Sequence, residues 1–527
     1  MTASSVTRAL NARSILSVAA PGAPLPARVA IRGAAFTARS ITRVVLPACL
    51  LILAACASSA PPAADNPGAI TPSATAADFP TSPPELGDPA PLLMPPVVER
   101  RLPNGLRVLV VEHHELPLVT AMLAVRTGAE ADPDGEAGLA TMVADLLDEG
   151  TQSRNALQIA EQAALIGGSI FTSAGWDAST ITLRGNTATL DSSLALMADV
   201  VLRPSFPAAE LERLRAGRLT GLVQLRDRGP AIADRVFNDV VFGAKHPYGR
   251  PTGGTEASTD AISRASVQRF YDTYYRPNNA VLVVVGDVSP DDLVSRVQAL
   301  FGSWQRAQVP ATEFDAPSAA RAGRIYIVDK PGAPQSSVRI GTVGVERSSA
   351  DYFPLVVMNT VLGGSFTSRL NQNLRETHGY TYGARSSFGM RREAGPFTAS
   401  AEVTGTLTDS SLIEFFNELR AIGDTVPRAE LEKTKRYLQL QLPGNFETTG
   451  GIAGELLTVA LYDLPLDYFD SYTDRISAVT QADVQRVARK YVQPGAMQVV
   501  IVGDRESIEP AIRATGIADV TVRVFRE

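Results

Sequence analysis

The second half of this chain repeats the first, and no other feature limits its possible folds as strongly. Val108-Leu109-Val110-Val111 returns as Ile325-Tyr326-Ile327-Val328 and Pro117 as Pro334, all displaced by 217 positions. The same displacement recurs late in each copy, where Val267-Gln268-Arg269 becomes Val484-Gln485-Arg486, Pro277 becomes Pro494 and Gly286-Asp287 becomes Gly503-Asp504. Between these, Pro207 with Ala209-Glu210-Leu211-Glu212 returns as Pro427 with Ala429-Glu430-Leu431-Glu432 at a displacement of 220, as small insertions would produce. The body is therefore read as two homologous halves, residues 96–306 and 322–527, joined by a linker at 307–321.

Each half mixes two periodicities. The β-branched runs Arg107–Val111, Val119–Val125, Thr180–Leu183 and Ala280–Val285 read as strands bounded by Gly, Pro and Asn. Ala156–Ile166 reads as a helix stopped by Gly167-Gly168, and Pro207 opens a longer Leu/Arg/Glu-rich helix. The fold class expected is α/β (α+β): two mixed α/β halves forming a clamshell, an arrangement that ordinarily places a ligand between its lobes.

The N-terminal region belongs to neither half. Residues 1–55 carry six arginines and no acidic residue, and they end in an apolar run, Val44–Ala55. At about 12 residues this run is too short to span a bilayer. It leads into Leu53-Ala54-Ala55-Cys56, which looks like a bacterial lipobox, so residues 1–55 are expected to be a lipoprotein signal peptide with lipid carried on Cys56. Residues 56–95, rich in Ala, Pro and Ser, lack the apolar content to fold and read as a disordered tether. The expected location is the bacterial cell envelope, facing the periplasm. Ala57 stands where an inner-membrane retention aspartate would be, which points to the outer membrane. The other cysteine, Cys49, falls in the leader, so no disulfide is expected in the mature chain. The 55 acidic residues outnumber the 49 basic ones, six of which leave with the leader, a balance that disfavours nucleic acid as a partner.

Ordered short motifs then carry a resemblance. Asn104-Gly105-Leu106-Arg107-Val108, Val125-Arg126-Thr127-Gly128-Ala129, Gly138-Leu139-Ala140, Glu149-Gly150-Thr151 and His246-Pro247-Tyr248-Gly249-Arg250-Pro251 occupy the first half. Leu362-Gly363-Gly364-Ser365, Ser368-Arg369-Leu370 and Leu374-Arg375-Glu376 with Gly379-Tyr380-Thr381-Tyr382 occupy the second. Together they resemble the pitrilysin/insulinase metallopeptidase family over nearly everything after residue 98. The resemblance implies a helical His-x-x-Glu-His motif, in which two histidines hold zinc and the glutamate is the general base. Counted from Gly138-Leu139-Ala140, those positions are Thr141, Ala144 and Asp145, and the family's distant glutamate ligand falls near Leu222. A catalytic zinc takes about three protein ligands, and only Asp145 is of a suitable type, so no metal is expected in this chain. The four histidines, His113, His114, His246 and His378, offer no helical pair spacing. Asp145, Asp148 and Glu149 read as a solvated helix end rather than a cation site.

The resemblance implies a second group of functional residues, an arginine and a tyrosine seven apart that reach the substrate beside the zinc. Arg375 and Tyr382 have that spacing. A guanidinium and a phenol donate to the oxyanion of a tetrahedral intermediate, where charge develops. Gly363 and Gly364 were open to two readings, a backbone edge that pairs with an extended peptide or a plain turn, whereas Arg126 and His246 read as framework. Some bacterial members of the family divide the zinc helix and the Arg/Tyr pair between two polypeptides. The expected function is thus a zinc-less, substrate-binding subunit of a heteromeric metallopeptidase that handles extended peptides. It would be inactive alone, and the zinc would reside in a family partner. The alternatives are a structural or assembly protein of the same fold and, third, an active zinc peptidase.

Overall fold

The computed structural model describes residues 87, 92, 94–314 and 322–525. The leader, Cys56 and nearly all of the tether region lie outside the described residues, as does 315–321 of the linker. Among the described residues no helix is long and apolar enough to cross a membrane.

The duplication is written into two six-stranded sheets. The first half contributes β1 (Val97–Arg101), β2 (Arg107–Glu112), β3 (Leu118–Val125), β4 (Ser169–Ala174), β5 (Ser179–Asn186) and β6 (Ala280–Gly286), in the order β1-β2-β6-β3-β5-β4. The second contributes β7 (Arg324–Asp329), β8 (Gln335–Val343), β9 (Thr381–Phe388), β10 (Pro396–Thr404), β11 (Gln498–Gly503) and β12 (Asp519–Arg523), in the order β12-β7-β11-β8-β10-β9. Five strands correspond in order and direction: β2 runs parallel to β6 as β7 does to β11, and the remaining neighbours are antiparallel. The copies differ at one margin. β1 arrives before the repeat and pairs antiparallel with β2, whereas β12 arrives after it and pairs parallel with β7.

Burial along the central strands explains how the halves are joined. All seven residues of β6 and all six of β11 are buried, so both faces of each sheet are covered. On one face, Leu282 and Val284 join Val108 and Val110 in the core formed with the helices of their own half. On the other face, Val281, Val283 and Val285, with Leu109 and Val111, pack against Ile452, Ala453 and Leu456. Those three lie on the helix Thr449–Leu461, which belongs to the second half. The exchange is reciprocal. Val500 and Val502 of β11, with Val328 of β7, pack against Ile232, Val236 and Phe237 of the first-half helix Gly229–Phe242. At Gly341 of β8 a Cβ would run into the Phe397 backbone carbonyl of β10 and would also crowd the Phe237 ring of the foreign helix, so the strand presents glycine there.

Polar contacts seal the same seam. Arg339 of β8, buried, bonds Asp234 on the incoming helix at 2.5 Å and Glu402 of β10 at 3.0 Å. The β4–β5 and β9–β10 turns, equivalent in the repeat, meet each other. There the Asp177 carboxylate accepts from Tyr248 Oη at 2.8 Å, from Tyr462 Oη at 3.0 Å and from the Arg392 backbone N–H at 2.8 Å. Glu130 lies 3.3 Å from the Arg392 guanidinium, yet burial outweighs that attraction and pushes its carboxyl up to about 8. Arg126 bridges the halves through Asp463 at 2.5 Å and the Leu461 carbonyl. His246 Nδ1 accepts from the Tyr248 N–H at 3.0 Å while its ring rests on Phe242.

Two segments read as linkers are packed at one end. Leu92 and Met94 lie against the second-half core, and Phe314 stacks its ring 5.4 Å from Tyr248 and 5.8 Å from His246.

The exchange couples the stability of the two halves. Leu456 is fully buried against the first-half sheet, and Leu456→Ala should cost about 2–5 kcal/mol. Both tryptophans, Trp176 and Trp304, lie in the first half, so tryptophan fluorescence reports on the half that does not contain the mutation. The expected result in urea is that fluorescence and far-ultraviolet circular dichroism midpoints fall together. A fluorescence transition that stays in place would mean that the halves unfold independently.

Candidate functional site

The helix aligned with the zinc motif, Leu139–Leu147, begins at Gly138, whose φ of +90° and close approach to Gly253 exclude a side chain. Both oxygens of Asp132 cap this start, accepting from the N–H groups of Gly138 and Ala140 at 2.7 Å. Burial pushes the Asp132 carboxyl up to about 7, against the pull of these two donors.

None of the aligned positions presents a metal ligand that is free. Thr141 donates its hydroxyl to the Thr252 carbonyl at 2.7 Å, and Ala144 is fully buried. Asp145 is bound by Arg218, whose Nη2 lies 2.9 Å from its carboxylate and whose Nη1 donates to the Gly138 carbonyl at 2.8 Å. Arg218 and the buried Leu222 lie one turn apart on the helix Ala208–Leu225. Burial raises the Asp145 carboxyl above the usual range, and the Arg218 charge opposes that shift. Zinc therefore does not fit these residues. A guanidinium supplies the positive charge at the one carboxylate left, and the distant ligand position is hydrocarbon. Among the described residues no group of three or more His, Cys, Asp or Glu side chains is placed to hold a metal ion.

The carboxylates at the end of this helix are not the solvated cluster expected of them. Besides the Asp145–Arg218 pair, Glu149 is paired with Arg213. Asp148, half-buried beside Thr172, has its carboxyl pushed up to about 6, chiefly by burial. The physical reason is packing: the neighbouring helix Ala208–Leu225 brings Arg218 to Asp145 and Arg213 to Glu149, and β4 brings Thr172 to Asp148.

Arg375 and Tyr382 sit at a corner of the second half. The helical stretch from Arg369 passes into a π-helical turn, Gln372–Thr377, and Gly379 with φ +66° ends it by donating its N–H to the Arg375 carbonyl at 3.0 Å. β9 begins two residues later. Asn371 ties turn to strand, accepting from the Ala384 N–H at 3.1 Å and donating to the Phe366 carbonyl at 2.7 Å. The Arg375 guanidinium stands 4.7 Å from the centre of the Phe366 ring and 3.3 Å from Glu376. Tyr382 is 89 % exposed, so it is not a core aromatic, and Phe366 beside the arginine is 61 % exposed.

Gly363 and Gly364 are neither a strand edge nor a plain turn. They close a second π-helical turn, Thr360–Gly364, and a Cβ on Gly363 would run into the backbone of β9 at Arg385 and Ser386. π-Turns of this kind gather at functional sites, and here two flank the same corner. β9 is the outermost strand of its sheet, and along its middle the Ala384 N–H and the Ser386 carbonyl are already taken by Asn371 and Asn359. Sequence reasoning passed over Arg218 and Phe366. Arg218 was detectable, because a residue four before Leu222 shares its helix face; the exposed Phe366 left no pattern.

Comparison with known proteins bears on the family and the fold. The family profile described as "Insulinase (Peptidase family M16)" matches residues 107–225, and that described as "Peptidase M16 inactive domain" matches 261–438. An "Uncharacterized zinc protease" of Mycobacterium leprae is 31% identical over 354 residues, covering 65% of this chain and 77% of that protein. A Bacillus subtilis protein of the same description, YmxG, is 26% identical over 66% of this chain and 83% of its own length. Among solved structures, the peptidase M16 inactive domain from Pseudomonas fluorescens superposes with a TM-score of 0.73 at 25% identity, covering 77% of this chain and 98% of that one. A protease from Helicobacter pylori matches with the same TM-score at 21% identity, over 78% of this chain and 100% of that one.

Proposed function

The chain belongs to the insulinase family of peptidases, M16, and from that premise we propose that it is the zinc-less, substrate-binding subunit of a heteromeric metallopeptidase acting on extended peptides. The observation that carries this reading is a contrast within one molecule. The motif helix has its single carboxylate neutralised by Arg218, while Phe366, beside the Arg375 guanidinium, and Tyr382, at the start of the outermost strand β9, stand in solvent. An exposed tyrosine on an edge strand contributes little to a core. It is well placed to meet a peptide that passes the start of β9.

In this reading zinc and its general base are supplied by a family partner. This chain contributes the Arg375 guanidinium and the Tyr382 phenol as donors toward the substrate carbonyl, where negative charge develops. The π-turn Gln372–Thr377 and the Asn371 bonds hold the donors in place. A subunit of this kind has no activity of its own.

The test is reconstitution with a zinc-bearing family partner. Adding this chain should raise peptidase activity well above that of the partner alone. Arg375→Ala or Tyr382→Phe should lower kcat by about two to three decades, the loss of roughly 2.7–4 kcal/mol seen when a transition-state donor is removed, with complex stoichiometry unchanged. Full activity of both variants in an intact complex would make the pair framework and favour an assembly role.

The envelope location completes the proposal: lipid on Cys56 tethers the body to the membrane, facing the periplasm. A lipoprotein carries several acyl chains and stays bound where a single chain would not. Cys56→Ser should release the body into the soluble envelope fraction or leave an unprocessed precursor. A wild-type protein that fractionates as soluble and unlipidated contradicts the location and leaves the subunit role standing.

A further inference from the structure

Phe366 is an aromatic residue fixed in place at the surface with no core to hold it. Its ring is 61 % exposed, and Thr367 beside it is exposed as well. A phenyl ring left in water gains nothing from burial, yet the backbone that carries it is tied down. The Phe366 carbonyl accepts from Asn371 Nδ2 at 2.7 Å, and the Asn371 Oδ1 accepts from the Ala384 N–H of β9 at 3.1 Å. The Ser368 N–H donates to the Ser365 carbonyl at 3.1 Å, and Ser365 Oγ to the Thr360 carbonyl at 3.3 Å. One buried amide thus joins Phe366 to the strand that begins at Tyr382.

The ring's charged neighbour is Arg375, whose guanidinium carbon lies over it at 4.7 Å from the ring centre, within the range of a cation–π contact. The other charged neighbour of that guanidinium is Glu376, 3.3 Å from Nε. Glu376 is next in sequence and its side chain is 46 % exposed, so the pair contributes little. Among the described residues the Arg375 guanidinium donates no hydrogen bond. Arg369, on the same helical stretch, differs: it gives two N–H groups to Glu430 and a third to the Ala421 carbonyl. A carboxylate binds a guanidinium by taking its N–H donors, whereas a ring face attracts the charge as a whole and has no lone pair to take them.

The geometry points to Phe366 as a positioning residue: its ring holds the Arg375 guanidinium in place and leaves the N–H donors free for the substrate carbonyl. The inference rests on the role proposed for Arg375 and adds the residue that aims it. Phe366 itself donates nothing to the substrate. Its exposure fits the task, because a peptide lying over the ring displaces water from the pair, and a cation–π contact strengthens as it is desolvated.

Two readouts test this. In NMR spectra of the purified chain alone, labelled at arginine and with Arg375→Ala used for assignment, the ring current should displace the Arg375 side-chain protons upfield. Phe366→Leu should return them to the position of a free arginine. An undisplaced Arg375 signal in the wild-type chain overturns the inference, whatever the complex does. In the complex with a zinc-bearing partner, Phe366→Leu keeps apolar bulk but removes the ring. There kcat should fall about tenfold to a hundredfold with KM little changed, the scale expected when a reacting group is displaced by about 1 Å. Phe366→Tyr, which keeps the ring, should restore it, and on an Arg375→Ala background Phe366→Leu should cost nothing further. Full kcat with Phe366→Leu, no rescue by Phe366→Tyr, or an equal loss on the Arg375→Ala background overturns the inference and leaves the subunit role standing. A wild-type chain with the displaced signal that fails to raise the partner's activity overturns the subunit role, while that signal still supports the ring-held guanidinium.

Discussion

Each sheet of this protein is covered on one face by a helix from the opposite half, and the remaining architecture depends on that exchange. A strand such as Ala280–Gly286, apolar on both faces, is stable only if both faces are covered. Its own half covers one. The helix Thr449–Leu461 supplies the other, and Gly229–Phe242 returns the same service to Gln498–Gly503. Neither half separated from the other would keep its sheet out of water, so the two lobes behave as one body rather than as jaws on a hinge. In the function proposed, the peptide chamber is therefore formed with a second polypeptide. The function proposed accordingly uses the corner bearing Arg375 and Tyr382 rather than the seam, which is filled by side chains and sealed by Asp177, Arg339 and Arg392.

The motif helix shows what the family scaffold becomes when zinc is not its organising charge. A metal site is held together by attraction between a dication and several anionic or neutral ligands. Here the only carboxylate at the aligned positions already has a guanidinium at 2.9 Å. A dication brought beside Arg218 meets repulsion of several kcal/mol at an effective dielectric near 20, with no imidazole to offset it. The helix is instead anchored by its fully buried Met142, Val143, Ala144 and Leu146 and by the Asp132 cap. Its role has passed from ligand platform to core element, and the Asp145–Arg218 pair keeps its remaining polar group satisfied.

Much of this was legible in the sequence, for definite reasons. Duplication preserves strand order, so matched pairs such as Val108–Val111 with Ile325–Val328 locate equivalent strands of two sheets from sequence alone. The unbroken run Ala280–Val285 marked a strand. It carried no sign of which helix lay on the far face, because Gly229–Phe242 is amphipathic whichever sheet it covers. The margins β1 and β12 lie outside the repeat, and their opposite senses left no pattern. Gly363-Gly364 does not disclose its role in the sequence, because a π-turn has no spacing signature and the close approach of β9 that requires the glycine is a tertiary fact. The exposure of Tyr382 is likewise tertiary: tyrosine near the start of a β-strand reads as core as readily as surface.

The central claim is that this chain contributes substrate contacts and no metal. It is tested most directly by the zinc content of the purified protein alone, measured together with its hydrolysis of unstructured peptides. The chain alone should carry no stoichiometric zinc and cleave nothing, and zinc in a reconstituted complex should track the partner alone. About one zinc per chain, removed by a chelator together with a peptidase activity and restored with it, would contradict that claim.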